Sequence, residues 1–411
     1  MGLIVKKFGG TSVGSTERIR AVAAKVVESR RAGDDVIVVV SAMAGETNRL
    51  VSLARDISKN PIGREYDVLV ATGEQVSIAL LSLAIKELGV EAESFLAHQV
   101  RIMTSGTHGK ARIESIAAPI LRAALEKGKV CVVAGFQGMD ADGSITTLGR
   151  GGSDTTAVAL AAAMEADVCE IYTDVDGIYT TDPNIVRDAQ KIDRVSYEEM
   201  LELASLGAKV LQTRSVEFAL NYQVPVHVRS SFSSQEGSWV VPEEETMEKV
   251  AVRAVTCDRN QVRVTVVGLP DEPGVAVRLF KPLSASDIVV DMIIQNASRE
   301  AGRTDMTFTV TNEDLACATK IVQDLLPEVG GQGFATDPAI AKVSVVGVGM
   351  RSHSGVATEA FAAMSEAGVN IKMISTSEIK ISMVVDERYS ELAVRALHDC
   401  FNLGSAAPST D

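Results

Sequence analysis

The sequence lacks most of what would send a chain to a membrane, a metal cluster or nucleic acid. No run reaches the ~18 uninterrupted apolar residues that a membrane helix requires. The start MGLIVKKFGG has neither the long apolar core nor the small-residue cleavage site of a secretory leader. Five cysteines, Cys131, Cys169, Cys257, Cys317 and Cys400, are scattered without CxxC spacing, which argues against zinc and a disulfide framework and leaves them as reduced thiols. Positive charge is in deficit: a formal net charge of −14 disfavours nucleic acid or an anionic membrane, although a local field can still admit a small anion. Neither the GxxxxGK[ST] order of a phosphate loop nor the ligand spacing of an EF-hand occurs. What remains is a globular, cytoplasmic chain. Its 411 residues, 46% apolar and 23% charged, suggest two or three domains.

The first half alternates strand-like and helix-like segments. LIVKKF, VIVVVSAM, VCVVAGFQG and CEIYTDV are near-continuous apolar runs ending in Gly, Ser or Asp, as a parallel sheet buried under helices requires. Ligands of such sheets gather at the carboxyl ends of the strands. The composition shifts at QEGSWVVPEEETMEK, residues 235 to 249, an acidic stretch that reads as a domain boundary. Beyond it lies an internal repeat. Gly274/Gly355, Val275/Val356, Ala276/Ala357, Phe280/Phe361, Ser284/Ser365, Met292/Met373 and Ile293/Ile374 all match at an offset of 81 residues. Each copy reads strand, glycine turn, amphipathic helix, strand, and paired copies create an interface suited to a ligand.

Several stretches carry chemistry. In KKFGGTSVGS, residues 6 to 15, a glycine pair lets backbone N–H groups approach an anion, and Lys7 beside it would neutralise a phosphoryl group in flight. Ser41 ends a buried strand, where a hydroxyl is ordinarily a turn or cap. TTLGRGGSDTTAVALAAAM sets Arg150 among glycines, with Ser153 and Asp154 at the mouth of a small-residue helix, and so offers a bidentate fork for a carboxylate or phosphate. In YTDVDGIYTTDP, Asp174 follows a strand directly, whereas Asp176 and Asp182 suit turns. Glu74 opens a helix in ATGEQVS, where a carboxylate is commonly a dipole partner.

Taken together, KFGGTS, SAMAGETNRL, TGEQVS, GFQG, TTLGRGGSDTTA, YTDVDGIYTTDP and SLGAKVL resemble, in order and spacing, the aspartokinases of the amino acid kinase family. The repeat resembles their tandem ACT domains. The resemblance implies an α/β architecture: an αβα-sandwich amino acid kinase domain over residues 1–240, a linker and first regulatory strand over 241–260, and two α+β, ferredoxin-like ACT domains over 261–340 and 341–411. It implies MgATP-dependent phosphorylation of the β-carboxylate of L-aspartate to 4-phospho-L-aspartate, the first step toward lysine, threonine and methionine.

On that reading Lys7 stabilises the transferring phosphoryl group and Asp154 organises it. Thr47, Glu74, Arg150 and Ser153 bind aspartate, Glu74 through the ammonium and Arg150 through the α-carboxylate. The ATP set is Lys7, Phe8, Gly9, Gly10, Ser41, Thr173, Asp174, Tyr179, Asp182 and Lys209. Mg²⁺ rides on the phosphates, with no all-protein metal site. The family commonly has Arg after DP; here Asn184 stands there, with Arg187 as the candidate substitute. Lysine, threonine or both are the implied effectors. Their implied contacts are Asp271, Gly274, Val275, Ala276, Asp291 and Gln295 in the first copy, and Asn370, Ile371, Ser375, Thr376 and Glu378 in the second. The ACT domains imply a homo-oligomer, and in some relatives a shorter regulatory subunit arises from an internal start, for which Met247 is the candidate. Two rivals stand beside this reading: a related kinase with another acceptor, and a catalytically silent ACT-based amino-acid sensor.

Overall fold

The computed structural model describes residues 2–208, 210–243, 251–297, 302–351, 353 and 355–405, so Lys209 and Met247 lie outside the described residues. The chain divides into two compact units, Met1–Tyr179 with Lys191–Met247, and Thr180–Gln190 with Glu248–Asp411.

Six parallel strands form the centre of the first unit: β1 (Leu3–Phe8), β2 (Asp35–Val40), β3 (Ala92–Phe95), β4 (Val130–Ala134), β5 (Val168–Thr173) and β6 (Val226–Ser230). Their order is β6-β5-β1-β2-β4-β3, and Ser238–Val241 and Arg194–Ser196 extend the β6 edge. Runs such as DVIVVV and VCVVA are buried almost throughout because helices cover both faces of the sheet. Helices α1 (Thr16–Arg31), α2 (Glu46–Ile57), α3 (Arg64–Val70) and α4 (Thr72–Glu87) follow the first two strands. Ile19, Val22, Val26, Ile78, Leu81 and Ile85 of α1 and α4 share a core with Phe8, Val36, Val38 and Val40. Against the other face lies α5 (Gly152–Met164), whose small residues are buried nearly all round and let it sit close on β1, β2 and β5. The result is the expected αβα sandwich. The helical run Arg64–Glu87 is long and apolar enough to cross a membrane, yet half of it is buried within this unit.

The stretch expected to be an acidic boundary contains a strand, because SWVV pairs antiparallel with β6. Residues 180–190, expected in the kinase domain, group with the second unit instead. Val186 explains this, since its buried side chain belongs to a core of the regulatory repeat.

The second unit is a six-stranded sheet, β8-β9-β7-β10-β12-β11, built from β7 (Ala254–Pro270), β8 (Ile293–Ala297), β9 (Arg303–Val310), β10 (Gly333–Val346), β11 (Met373–Thr376) and β12 (Lys380–Asp386). Helices α6 (Val275–Ala285), α7 (Leu315–Leu325), α8 (Val356–Glu366) and α9 (Ser390–Cys400) serve its two cores. The long strands β7 and β10 pair from Ala254↔Val346 to Val267↔Gly333 and run through both. Val262, Val264 and Val266 of β7 pack with α6 and α7, whereas Val255 packs with α8 and α9. The second copy therefore takes a strand from residues that precede the first copy: a partition at 340/341 keeps the first core whole but leaves Val252 and Val255 of the second core outside its copy.

Candidate active site

Alternation along β1 sends its two lysines to opposite faces. Lys6, paired in register with Glu170, is buried against that carboxylate, and Arg229 donates to the same carboxylate at 3.1 Å. Lys6 is thus consumed by the sheet. Lys7 faces α5, and its Nζ lies 2.5 Å from Oδ1 of Asp154, each side chain being only 11% exposed. Asp154 sits in the first turn of α5, where the helix dipole favours a carboxylate.

The glycine pair after β1 has a steric reason. A Cβ on Gly10 would stand 2.8 Å from the Ala42 carbonyl oxygen, and Ala44 N donates to Gly10 O at 3.1 Å. The loops after β1 and β2 therefore lie against each other, with Ser41 N bonded to Phe8 O at 3.1 Å between them. Helix α1 begins only at Thr16, capped by Ser15.

Gly73 brings the start of α4 to the same place, since a Cβ there would meet the Ala42 Cβ at 2.7 Å. This close approach buries Glu74 at 3% exposure. Its Oε1 accepts from Ala42 N at 3.0 Å, while Oε2 has no partner. Burial pushes the Glu74 carboxyl up to about 7, with the Ala42 N–H pulling the other way. Thr47 is half-buried in the first turn of α2.

Arg150 lies exposed in the loop before α5, between Gly149 (φ 77°) and Gly151 (φ 69°). Those left-handed conformations account for the flanking glycines. Arg150 itself makes no hydrogen bond or ion pair among the described residues. Arg214, absent from the sequence reading, holds the loop by donating to Leu148 O at 2.7 Å and Ala111 O at 3.0 Å. Ser153 is buried beneath Gly135, where a Cβ would meet its Oγ at 2.7 Å. Phe136, next along, holds a left-handed φ of 69°, a strained conformation for an aromatic residue that nothing in GFQG announced.

At the end of β5, the Thr173 hydroxyl donates to Asp174 at 3.1 Å, and the Tyr179 hydroxyl donates to Asp176 at 2.8 Å. Gly9 lies against this strand through Tyr172 O. Lys7, Gly9, Gly10, Ser41, Glu74, Ser153, Asp154, Thr173 and Asp174 are thus gathered around the carboxyl ends of adjacent strands. Two expected nucleotide contacts need correction. The Phe8 side chain is fully buried and stacks on Tyr172 at 4.5 Å, so only its backbone is left to a ligand. Asp182 belongs to the second unit, where its carboxylate accepts from Asn184 N and Nδ2, both at 2.9 Å, as a turn aspartate does. Arg187 is exposed in that same segment.

In the second unit, Gly274 and Gly355 both initiate helices in left-handed conformations, at φ 93° and 109°. A pocket of about 550 Å³ opens at the second of these turns, lined by Met350, His353, Gly355, Val356, Ala357 and Glu378 among others. Thr376 also lines it, whereas Asn370 and Ile371 do not. Gly355, Val356 and Ala357 are the repeat partners of Gly274, Val275 and Ala276, a correspondence the offset of the copies already contained. In the first copy Val275 is buried and Asp271 and Gln295 are exposed. Asp291 is paired with the buried Lys342 of β10. Ser375 is half-buried on the edge strand β11.

A paired lysine, a glycine-built cradle and a buried carboxylate at the strand ends define a phosphoryl-transfer site for a small charged acceptor. A family model described as amino acid kinase family matches residues 2–230, and one described as ACT domain matches 264–326 and 343–401. An aspartate kinase of Stutzerimonas stutzeri is 54% identical over 411 residues, covering 100% of each chain. E. coli aspartokinase III in complex with aspartate and ADP superposes with a TM-score of 0.83 at 28% identity, over 97% of this chain and 99% of that one. The same enzyme in complex with lysine and aspartate gives 0.75 at 29%, over 98% and 99%. The chain belongs to the amino acid kinase family and, within it, to the aspartokinases.

Proposed function

We propose that the chain transfers the γ-phosphoryl group of MgATP to the β-carboxylate of L-aspartate, giving 4-phospho-L-aspartate. The observation that carries this reading is Glu74, a buried carboxylate with one oxygen unpartnered at the strand ends. Such an oxygen calls for a cationic donor, and the substrate ammonium supplies one. Arg150, without an internal partner, takes the α-carboxylate as a bidentate fork. Thr47 and Ser153 line the acceptor side. The β-carboxylate is ionised at neutral pH, so no general base is required. Catalysis rests on positioning, and on Lys7 meeting the charge of the phosphoryl group while Asp154 holds its ammonium in place.

The nucleotide lies along Gly9, Gly10, Ser41, Thr173, Asp174 and Tyr179. The binding of aspartate and ADP by the E. coli relative supports this assignment of ligands. Among the described residues the strand ends offer no cluster of carboxylates for a metal. Mg²⁺ would accompany the phosphates, where it would offset repulsion between polyphosphate and substrate.

The reaction supplies lysine, threonine and methionine synthesis, and the repeat senses its end products. The lysine complex of the E. coli relative and the pocket beside Thr376 and Glu378 support lysine, threonine or both as effectors. The sheet edges β8 and β11, with Ile293 and Ile374 exposed, favour assembly through the ACT domains. Free thiols, two of them fully buried, suit a cytoplasmic setting.

Trapping the acyl phosphate with hydroxylamine tests the reading. Hydroxamate should form only with aspartate and MgATP together, and lysine and threonine, added singly and jointly, should suppress it. Hydroxamate from another amino acid in preference to aspartate would identify a different acceptor. No product at all would favour the silent sensor.

A further inference from the structure

Asp67 is a charged residue with no exposed surface, on α3 and away from the reacting groups. Its Oδ2 accepts from Gly109 N at 3.0 Å and Thr147 N at 2.9 Å, its Oδ1 accepts from the Thr147 hydroxyl at 2.6 Å, and His108 Nδ1 lies 3.0 Å from Oδ2 as the fourth donor. No lysine or arginine is paired with it among the described residues. A fully buried carboxylate this heavily bonded is costly to place and holds its partners firmly.

What it holds is specific. Thr147 ends a short strand, and the next three residues are Leu148, Gly149 and Arg150. Gly109, its other backbone partner, has its carbonyl oxygen only 3.0 Å from where a Cβ on Gly149 would stand. In the other direction α3 leads through Ala71 into α4 and Glu74. That junction is fixed as well, because Ala71 N bonds to Asp67 O at 3.0 Å, and the buried Gln137 donates to Ala71 O at 3.1 Å.

We propose that Asp67 is a positioning residue for the acceptor amino acid: it ties the Arg150 loop to the helical run that carries Glu74, and so sets the span between the groups that grip the substrate's α-carboxylate and ammonium. The inference rests on the roles given above to Arg150 and Glu74. Both substrate groups hang from one carbon, so the span must be right to a fraction of an ångström, and a misplacement of about 1 Å can cost roughly 100-fold in rate. The nucleotide side, built on β1 and β5, does not depend on it.

The test uses the full-length enzyme. Thr147→Val removes only the hydroxyl bond and should raise the aspartate KM about tenfold, as a loosened Arg150 loop misplaces its fork, with the MgATP KM little changed; the Asp67 oxygen left unsatisfied should also lower the melting temperature by a few degrees. Asp67→Ala should raise the aspartate KM further. Asp67→Asn should restore most of the affinity, because its amide can donate to the Thr147 hydroxyl while its oxygen keeps the N–H donors. In an Arg150→Ala background Thr147→Val should add less than about twofold, since the two changes act through one group. Amide exchange at Leu148–Gly151 should quicken in Thr147→Val. Unchanged exchange there, or a parallel rise of both KM values, would overturn the proposal. If Arg150→Ala leaves the aspartate KM at wild type, the role of Arg150 fails instead, and the span argument fails with it even where exchange quickens. Should Asp67→Ala fail to fold, Thr147→Val still decides.

Discussion

Glu74, buried with one carboxylate oxygen unpartnered, lowers the stability of the folded protein, as a group kept for a ligand does. Burial raises its carboxyl from the ordinary 4.5 to about 7. Between those values the unfolded chain ionises and the folded chain does not, so stability falls as pH rises through the window. Above it the full penalty, about 3 kcal/mol, persists. Glu74→Gln should therefore stabilise the ligand-free protein at pH 8 by up to about 3 kcal/mol, read by urea unfolding, and show no such gain near pH 4. The same change should raise the aspartate KM about 100-fold or more, because a buried charge partner is lost. In the wild type the aspartate KM should climb as pH falls through about 7, where Glu74 protonates; in Glu74→Gln that dependence should disappear. Lys7→Ala should cut kcat about 100- to 1000-fold in the hydroxamate assay while leaving the circular dichroism unchanged. Lys6→Ala should act instead through stability, because Lys6 is paired inside the sheet.

At the scale of elements, the site exists because three backbone segments come unusually close. The loops after β1 and β2 and the start of α4 meet at Gly10, Ala42 and Gly73. Gly73→Ala sets a Cβ 2.7 Å from that of Ala42. Overpacking of this kind costs about 1–3 kcal/mol, and the movement that relieves it shifts Glu74. The expected outcome is a lower urea midpoint together with a raised aspartate KM, whereas Gly33→Ala, strained by a φ of 105° after α1 but with no atom crowding its Cβ, should lower the midpoint and leave the KM unchanged. TGE is thus more than a helix start: its glycine lets its glutamate be buried.

Across the whole molecule, chain order and structural unit part company. Val186, from the segment between two short kinase-unit strands, completes a core whose other members come from residues 252–403. A regulatory chain begun at Met247 would lack it and forfeit about 1.5–3 kcal/mol for this side chain alone. Such a chain should melt below the regulatory unit of the intact protein, and a peptide spanning residues 180–190 should raise its melting temperature. No effect of the peptide would show that the core closes without the segment.

Much was written locally. Apolar runs of five or six residues dictated buried parallel strands, the small-residue stretch from Gly152 dictated a buried helix, and the offset of 81 residues announced a duplicated unit. Lys7, Gly9, Gly10, Arg150 and Asp154 stood out as candidates because phosphate and carboxylate chemistry demands such residues beside glycine turns. Asp67 was not, since REYDVLV reads as an ordinary surface helix until the fold closes Thr147 and Gly109 over its carboxylate. Arg214 gave no sign for the same reason, and what occupies Lys6 became visible only once strand pairing set Glu170 beside it. The sequence by itself determined the elements and the chemical groups, because periodicity and turn chemistry act over a few residues. Only tertiary structure decided which groups are buried, paired or left open, because burial and hydrogen bonding depend on partners up to 164 residues away, as with Lys6 and Glu170.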